Sequence, residues 1–270
     1  MEKWDLYNRN FEKLDKIHYR GEKLQEGEYH LVGECLVRHL DGSYLLMKRH
    51  PSKKMFPLCY EATAGGSALC GESPLECIKR ELHEETGIVS NDFRLINHSI
   101  NDSNHTIYFT YLCYTDCDKN SVSIQENETI GYKWINEEEF KEFVKSDECV
   151  TTQIKRLNKY FDTFLIGSTF EVIVDRALGS THPKYPDIVY PLNYGYIPNI
   201  IGGDNEEQDA YVLTSLNTPL KTYKGKLIGV VIRVDDNETK WIISNEDFSK
   251  KQILEKINFQ EKYFKHILFK

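Results

Sequence analysis

The chain has 270 residues, of which 40% are apolar and 28% are charged, and its formal net charge is −8. This length is typical of two globular domains. The acidic balance disfavours a general nucleic-acid binder, which needs a basic face, and no apolar run approaches the roughly 20 residues of a membrane-spanning helix.

The N-terminal part of the chain reads as strands and loops. Residues 1–28 are polar and lack the apolar core of a signal peptide, so we predict a short arm or lead-in strands. Residues 30–40 and 43–50 are strand-like runs around a turn, and residues 51–66 are predicted as a loop leading into a strand. The seven cysteines all precede residue 150 and match no zinc spacing, which favours reduced thiols in a cytoplasmic protein.

Residues 74–86 are predicted to form a helix with clear start and stop signals. Ser73 is a good N-cap, Pro74 suits the first helical position, and Glu76 completes a capping box. Gly87 favours a left-handed turn that ends the helix.

Three carboxylates crowd one side of this helix, namely Glu81, Glu84 and Glu85. Like charges three and four residues apart repel each other. One interpretation is a solvated acidic face. The other is a site for Mg²⁺ or Mn²⁺, which prefer oxygen ligands and would turn the repulsion into attraction.

A longer pattern favours the metal site. Five residues separate Gly66 from Glu72, seven more lead to Arg80-Glu81-Leu82, and Glu84-Glu85 and Gly87-Ile88 follow. This arrangement matches every fixed position of the Nudix box, and residues of roughly 30–163 resemble Nudix hydrolases.

The Nudix resemblance implies an α/β/α sandwich with a mixed sheet. It also implies hydrolysis of a diphosphate bond in a nucleoside diphosphate derivative with Mg²⁺ or Mn²⁺. By this resemblance, the metal ligands are Glu81, Glu84 and Glu85 together with the carbonyl of Gly65 or Gly66.

The same resemblance assigns supporting roles around the box. Glu72 and Arg80 would brace the loop–helix–loop, and Arg80 would also help to bind substrate. The general base is either a box glutamate or a glutamate of a later loop, where Glu126 or Glu128 is the candidate.

A related family, the isopentenyl-diphosphate isomerases, shares this fold and is similar over parts of residues 29–66. Its reaction needs a cysteine at the end of the strand entering the box. That position is Gly65 here, and Cys59 lies too early, so the isomerase activity is disfavoured.

Residues 93–165 continue the alternation of strands and helices. Strand-like runs over 93–102, 105–116 and 131–136 precede a helical start after residue 136. Helical spacing over 151–165 predicts one further helix. The pattern breaks at Gly167-Ser168, and we place the domain boundary between residues 163 and 164.

The second half has a strand-and-turn texture that ends in a helix predicted at about 249–265. Residues 190–209 carry a tyrosine-rich segment, YPLNYGYIP, followed by the acidic turn DNEEQD. A second acidic turn, DDNETK, covers 235–240. Carboxylates and a lysine in two such turns are the groups that hold a metal and a phosphate.

Residues 169–265 resemble the family I inorganic pyrophosphatases, mainly through YPLNYGYIP. The resemblance implies a small OB-like β-barrel with a C-terminal helix and Mg²⁺-dependent hydrolysis of pyrophosphate. The implied metal ligands are Asp204, Asp209, Asp235 and Glu238, and Glu206 would face the nucleophilic water. The implied phosphate contacts are Lys184, Tyr194, Lys240 and Tyr263, and Asp175 pairs with Lys184.

Two departures from that family matter for the chemistry. Glu206 and Glu238 stand where the family has Asp, so each carboxylate reaches one methylene further. The segment that carries a phosphate-binding Arg in the family is shortened, and Arg176 or His182 is a candidate replacement.

Together these features predict a cytoplasmic two-domain hydrolase, with a Nudix domain at 1–163 and a pyrophosphatase-like domain at 164–270. The predicted partner is a small-molecule diphosphate, with no nucleic acid and no membrane, and a homo-oligomer is possible on base rates. The alternatives are a nucleotide sensor without turnover and a Nudix enzyme with an inactive diphosphate-binding C-terminal module.

Overall fold

The computed structural model describes residues 1–270 and divides into two compact units, Met1–Leu157 and Asn158–Lys270. The predicted functional boundary between residues 163 and 164 stays a prediction. None of the helices is long and apolar enough to cross a membrane. All seven cysteines are free thiols, and Cys35, Cys77, Cys113 and Cys149 are buried.

The first unit is built on a mixed sheet preceded by an antiparallel hairpin. The hairpin strands are β1 (Lys3–Tyr7) and β2 (Lys13–Tyr19). The seven strands of the sheet are β3 (His30–His39), β4 (Tyr44–Arg49), β5 (Tyr60–Glu61), β6 (Thr63–Ser67), β7 (Asp92–Asn101), β8 (Thr106–Thr115) and β9 (Thr129–Ile135). β3 lies at the centre, parallel to β8 and antiparallel to β6.

Helix α1 (Pro74–Thr86) packs closely on β3 of this sheet. A Cβ on Gly33 would lie 2.7 Å from the carbonyl oxygen of Pro74, so only glycine permits this approach. Ile78 and Leu82 lie on the buried face of this helix and are fully buried. Burying each such side chain contributes roughly 2 kcal/mol to the free energy of unfolding. The helix is thereby held against the sheet near Gly65 and Gly66, which lie in β6.

The segment 151–165 is broken where one helix was predicted. It forms α3 (Thr151–Arg156), α4 (Asn158–Phe161) and a 3₁₀ turn at Asp162–Leu165, and α2 (Glu137–Phe143) precedes it. The amide of Asn97 donates to the carbonyl of Arg156 at 3.0 Å, and the Asn158 side chain accepts from its neighbour's N–H at 2.8 Å. These polar side chains compete with the backbone bonds of a continuous helix.

The second unit is a closed barrel. Its five ring strands are β10 (Thr169–Arg176), β11 (Asn193–Ile201), β12 (Glu207–Val212), β13 (Thr222–Arg233) and β14 (Thr239–Ser244). They pair in the order β10–β11–β12–β14–β13, and β13 returns to β10. Helix α5 (Lys250–Glu261) packs on the barrel through Ile253 and Ile257. The mixed sheet with helices and this barrel confirm the predicted fold class.

Two elements of the second unit differ from the prediction. The terminal helix ends at Glu261 rather than near 265, and a short strand β15 (His266–Phe269) pairs with β13. Pro198 lies within strand β11. Its register with β12 shifts between Ile197 and Ile201, and such an irregularity accommodates a proline in a strand.

Candidate functional site

The ends of α1 are fixed by the signals that predicted the helix. The Ser73 hydroxyl accepts from the Glu76 N–H at 3.3 Å, and the Glu76 carboxylate accepts from the Ser73 N–H at 2.8 Å. Gly87 takes the left-handed conformation with φ 73°. The predicted span 74–86 is confirmed, and with one face of the helix buried, its other side presents the box carboxylates.

Arg80 gathers three of the box glutamates around one guanidinium. It donates to both carboxylate oxygens of Glu72, at 2.7 and 2.9 Å, and to Glu81 at 2.7 Å and Glu84 at 3.1 Å. Arg80 holds the pKa of the Glu72 carboxyl below its ordinary value. Glu72 also accepts from the Leu69 N–H at 2.8 Å, so this ion pair braces the loop before the helix.

Glu81 and Glu85 lie against the Gly65-Gly66 backbone. The N–H of Gly65 donates to Glu85 at 3.2 Å. A Cβ on Gly66 would lie 2.3 Å from the carboxyl carbon of Glu81. The strand before the box and the helix within it thus meet at these two carboxylates.

The carboxylates at this junction repel one another. Burial, together with the nearby charges of Glu61 and Glu81, raises the pKa of Glu85 to about 8. Burial also raises the pKa of Glu81. An acidic group that keeps its proton near neutrality, inside a cluster of like charges, marks a functional-site candidate.

Sequence reasoning misses Glu61, which lies on β5 and joins this cluster. Arg49 donates to it at 2.5 Å and the Gln153 amide at 3.3 Å. Burial raises the pKa of the Glu61 carboxyl. No spacing in the sequence singles out Glu61, because its place depends on the pairing of β5 with β4.

Lys53 connects the later-loop glutamate to the same region. Its ammonium forms an ion pair with Glu128, the candidate base. Burial and the neighbouring Arg49 lower the pKa of Lys53, while the charges of Glu61 and Glu85 oppose that effect. Glu128 is thus paired with a lysine that the charges of Glu61 and Glu85 also influence.

The donor set fits a divalent cation that prefers hard oxygen ligands. Glu81 and Glu85 supply carboxylates beside the backbone of Gly65 and Gly66 in β6, and their mutual repulsion favours a counter-ion. As the side chains stand, no three of them converge into a ligand shell. Arg80 bonds Glu81 and Glu84 instead, and the Glu84 side chain is 48% exposed.

A second cluster forms in the second unit around Lys240. Its buried ammonium makes ion pairs with Asp209 and Glu238. The Tyr194 hydroxyl bonds Asp209, and burial raises the pKa of that tyrosine well above its ordinary value. The cluster therefore contains four predicted site residues. Tyr194 comes from β11, Asp209 from β12, and Glu238 and Lys240 lie near the start of β14.

Asp175 and Arg176 extend this cluster at the end of β10. Arg176 donates to Asp175 at 2.8 Å, and its guanidinium carbon lies 5.5 Å from the centre of the Tyr194 ring. Burial and the charge of Asp209 raise the pKa of Asp175. The Nε–H of Arg176 is buried and bonds to no protein atom.

The structure does not bring the other predicted carboxylates into the cluster. Asp204 accepts from the Glu206 N–H at 3.0 Å within an exposed turn. Both oxygens of Asp235 accept from the Lys265 N–H at 3.1 Å. Lys184 is exposed, and Tyr263 is exposed and lines a cavity after α5.

Arg233 is a second group that sequence reasoning misses. It donates to Glu261 at 2.7 and 2.9 Å, to Glu238 at 3.1 Å and to Asp236 at 3.3 Å. Its side chain is only 3% exposed. An arginine within an otherwise apolar strand, KLIGVVIR, is the signal that points to it. Arg233 fixes Glu238 beside Lys240.

Comparisons with known proteins agree with two families in one chain. A family model described as NUDIX domain matches residues 29–154, and one described as Inorganic pyrophosphatase matches residues 168–268. An uncharacterized Nudix hydrolase of Listeria monocytogenes is 31% identical over 156 residues, which cover 56% of this chain and 89% of that protein. One from Listeria innocua is 31% identical over 160 residues, with coverage of 56% and 89%. A crystal structure of a Deinococcus radiodurans protein is 21% identical, covers 54% of this chain and 91% of its own, and has a TM-score of 0.45.

Proposed function

The chain belongs to the Nudix hydrolase family and joins that fold to a domain of the inorganic pyrophosphatase family, and on this premise we propose which bond each unit cleaves. The chain is a hydrolase acting on diphosphate bonds. We assign the first unit a diphosphate bond in a nucleoside diphosphate or triphosphate derivative. The second unit hydrolyses inorganic pyrophosphate.

The observation that carries the first assignment is the intact box folded against Gly65 and Gly66 of β6. Glu81, Glu84 and Glu85 would hold Mg²⁺ or Mn²⁺ with the carbonyl of Gly65 or Gly66. When bound, such an ion neutralises the diphosphate and lowers the pKa of a coordinated water. The ion pair of Arg80 with Glu72 holds the loop before α1 against the helix.

The chain's own residues provide for proton transfer. The base is one of the box glutamates or Glu128, and the ion pair of Glu128 with Lys53 supports the later-loop position. Arg49 orients Glu61 at the same cluster. A base within hydrogen-bond reach of the attacking water contributes roughly 10²–10⁴-fold to the rate.

The Lys240 cluster supports the second assignment. Asp209 and Glu238, which both pair with Lys240, are proposed metal ligands. Asp204 and Asp235, on neighbouring turns, are proposed ligands as well. Glu206 is the residue proposed to face the nucleophilic water. The proposed phosphate contacts are Lys184, Tyr194, Lys240 and Tyr263. Arg176, whose Nε–H bonds to no protein atom, is the proposed replacement for the family's phosphate-binding arginine.

The two reactions fit in sequence. A nucleoside triphosphate cleaved with loss of pyrophosphate would give the second unit its substrate, and removing that product pulls the first reaction forward. A nucleotide sensor is the second candidate, and the intact set of box carboxylates argues against it because binding alone needs no complete metal site.

Phosphorus NMR of the products tests this proposal. The full chain is incubated with Mg²⁺ and a panel of nucleoside triphosphates and nucleoside diphosphate derivatives, beside the Glu85→Gln and Asp209→Asn variants. We expect phosphate from wild type, accumulated pyrophosphate from Asp209→Asn, and unchanged substrate with Glu85→Gln. Tight nucleotide binding without any product over hours would favour the sensor instead. Release of phosphate alone by Asp209→Asn would remove the basis for the sequence of reactions.

A further inference from the structure

A cavity of about 490 Å³ opens in the second unit between the loop after β10 and the end of α5. Its walls include His182, Tyr185, Asp187, Gln260, Tyr263 and Phe264. Tyr185 is 60% exposed and Tyr263 62% exposed. Small-molecule sites are typically lined by aromatic side chains with a few polar groups, and they have volumes of roughly 300–1,000 Å³.

One wall of this cavity rests on the Lys240 cluster. The ring of Phe264 lies 3.6 Å from the guanidinium carbon of Arg233. Arg233 in turn donates to Glu238 at 3.1 Å. An aromatic surface is therefore separated from the predicted phosphate-handling carboxylates by a single side chain.

Positive charge lies near His182, one of the residues that line the cavity. Arg176 and Lys184 are close enough to His182 to lower the pKa of its imidazole, after burial as the main cause. The buried Nε–H of Arg176 has no protein acceptor. A buried donor of this kind is costly unless a partner binds it, and a phosphate oxygen is the natural acceptor for arginine.

His182 adds a directional donor to the cavity. Its Nδ1 accepts from the Lys184 N–H at 3.1 Å and the Tyr185 N–H at 3.2 Å. The neutral imidazole therefore carries its proton on Nε2. Asp187 contributes a carboxylate acceptor to the same wall. Donor and acceptor groups beside aromatic rings suit the polar edge of a heteroaromatic base.

We propose that this cavity binds the base of a nucleoside 5′-phosphate, with its phosphate directed toward Arg176 and the Lys240 cluster. Bare pyrophosphate would leave the aromatic walls in water, whereas the base of a nucleotide would cover them and leave its phosphate to the cations near His182. The inference rests on the phosphate-binding role proposed for the second unit, and it names a ligand class for that unit.

Photolabelling with peptide mapping tests the site in the full chain. The probe is 8-azidoadenosine 5′-monophosphate, and adducts are located by mass spectrometry. We expect adducts in peptides covering 182–188 and 260–264, with protection by adenosine 5′-monophosphate. Because base–aromatic stacking accounts for much of the affinity, Tyr185→Ala should raise the half-saturating probe concentration about tenfold, whereas Tyr185→Phe should not. Tyr19→Ala, at a tyrosine of the first unit, is the control.

Several results would overturn the inference. They are adducts confined to the first unit, or labelling that Tyr185→Ala leaves unchanged while its circular dichroism matches wild type. Pyrophosphate hydrolysis, measured on the same samples, separates this inference from the proposed function. Labelling without hydrolysis supports the nucleotide site and contradicts the proposed activity, whereas hydrolysis without labelling contradicts only the nucleotide site.

Discussion

Glu85→Gln should make the metal-free first unit less sensitive to pH while it abolishes Nudix turnover. In the folded protein the carboxyl keeps its proton to about pH 8, whereas its ordinary pKa is 4.5. The free energy of unfolding of wild type should therefore fall as pH rises from 4.5 to 8, because the unfolded chain releases this proton and the folded chain does not.

The magnitude follows from the size of that difference. At 1.36 kcal/mol for each pKa unit, the free energy of unfolding should fall by at most about 5 kcal/mol between pH 4.5 and 8. Glu85 is only half-buried, so water and side-chain movement reduce the cost, and we expect roughly 2 kcal/mol. Glutamine carries no charge at any pH and should abolish this decline. The exposed Glu84→Gln, on the same helix, should retain it.

The assay is urea unfolding with EDTA at pH 5, 6, 7 and 8. Hydrogen-exchange mass spectrometry of peptides from β3 and α1 measures the stability of the first unit separately from that of the second. Adding Mg²⁺ at a hundredfold excess over its Kd should stabilise wild type by about 2.7 kcal/mol, and Glu85→Gln by much less. Parallel pH profiles for wild type and Glu85→Gln would refute the reasoning that Glu85 sits among repelling carboxylates.

Three further substitutions test separate parts of the molecule. Gly66→Ala places a Cβ 2.3 Å from the Glu81 carboxyl carbon, whereas Gly131→Ala has nothing within 4 Å. Gly66→Ala should lower kcat for Nudix turnover at least about tenfold, whereas Gly131→Ala should not. Equal rates for the two variants would contradict the close packing of Gly66 against Glu81. Arg156→Met removes the cation that pairs with the buried carboxylate of Glu34. It should lower the free energy of unfolding in urea by about 3–5 kcal/mol. A loss below about 1 kcal/mol would show that the pair is dispensable. Glu128→Gln should lower kcat about 100-fold and remove the acidic limb of its pH profile, because a general base works only when deprotonated. A similar loss in Glu126→Gln would argue against a specific base.

Local signals account for what was predictable in the first unit. The Ser73 cap and the Gly87 stop act within one or two turns of helix, so sequence spacing determines both ends of α1. The box carboxylates then share a side because of the helical period. Glu61 escaped prediction because it reaches Glu85 only through strand pairing, which sequence spacing does not record.

In the second unit, long-range pairing decides which acidic residues meet. Ala210 pairs with Trp241 on neighbouring parallel strands, which places Asp209 beside Lys240. The YPLNYGYIP motif indicated the family without indicating this register. Asp235 instead accepts from the Lys265 N–H, a backbone contact that depends on where α5 ends.

Phosphate release from pyrophosphate is the measurement that tests two active sites in one chain most directly. The full-length wild type, Asp209→Asn and Glu85→Gln are compared with Mg²⁺ under identical conditions. The account predicts release by wild type and by Glu85→Gln, and none by Asp209→Asn. No release by wild type, or equal loss in Glu85→Gln with folding intact, would contradict an independent pyrophosphatase site in the second unit.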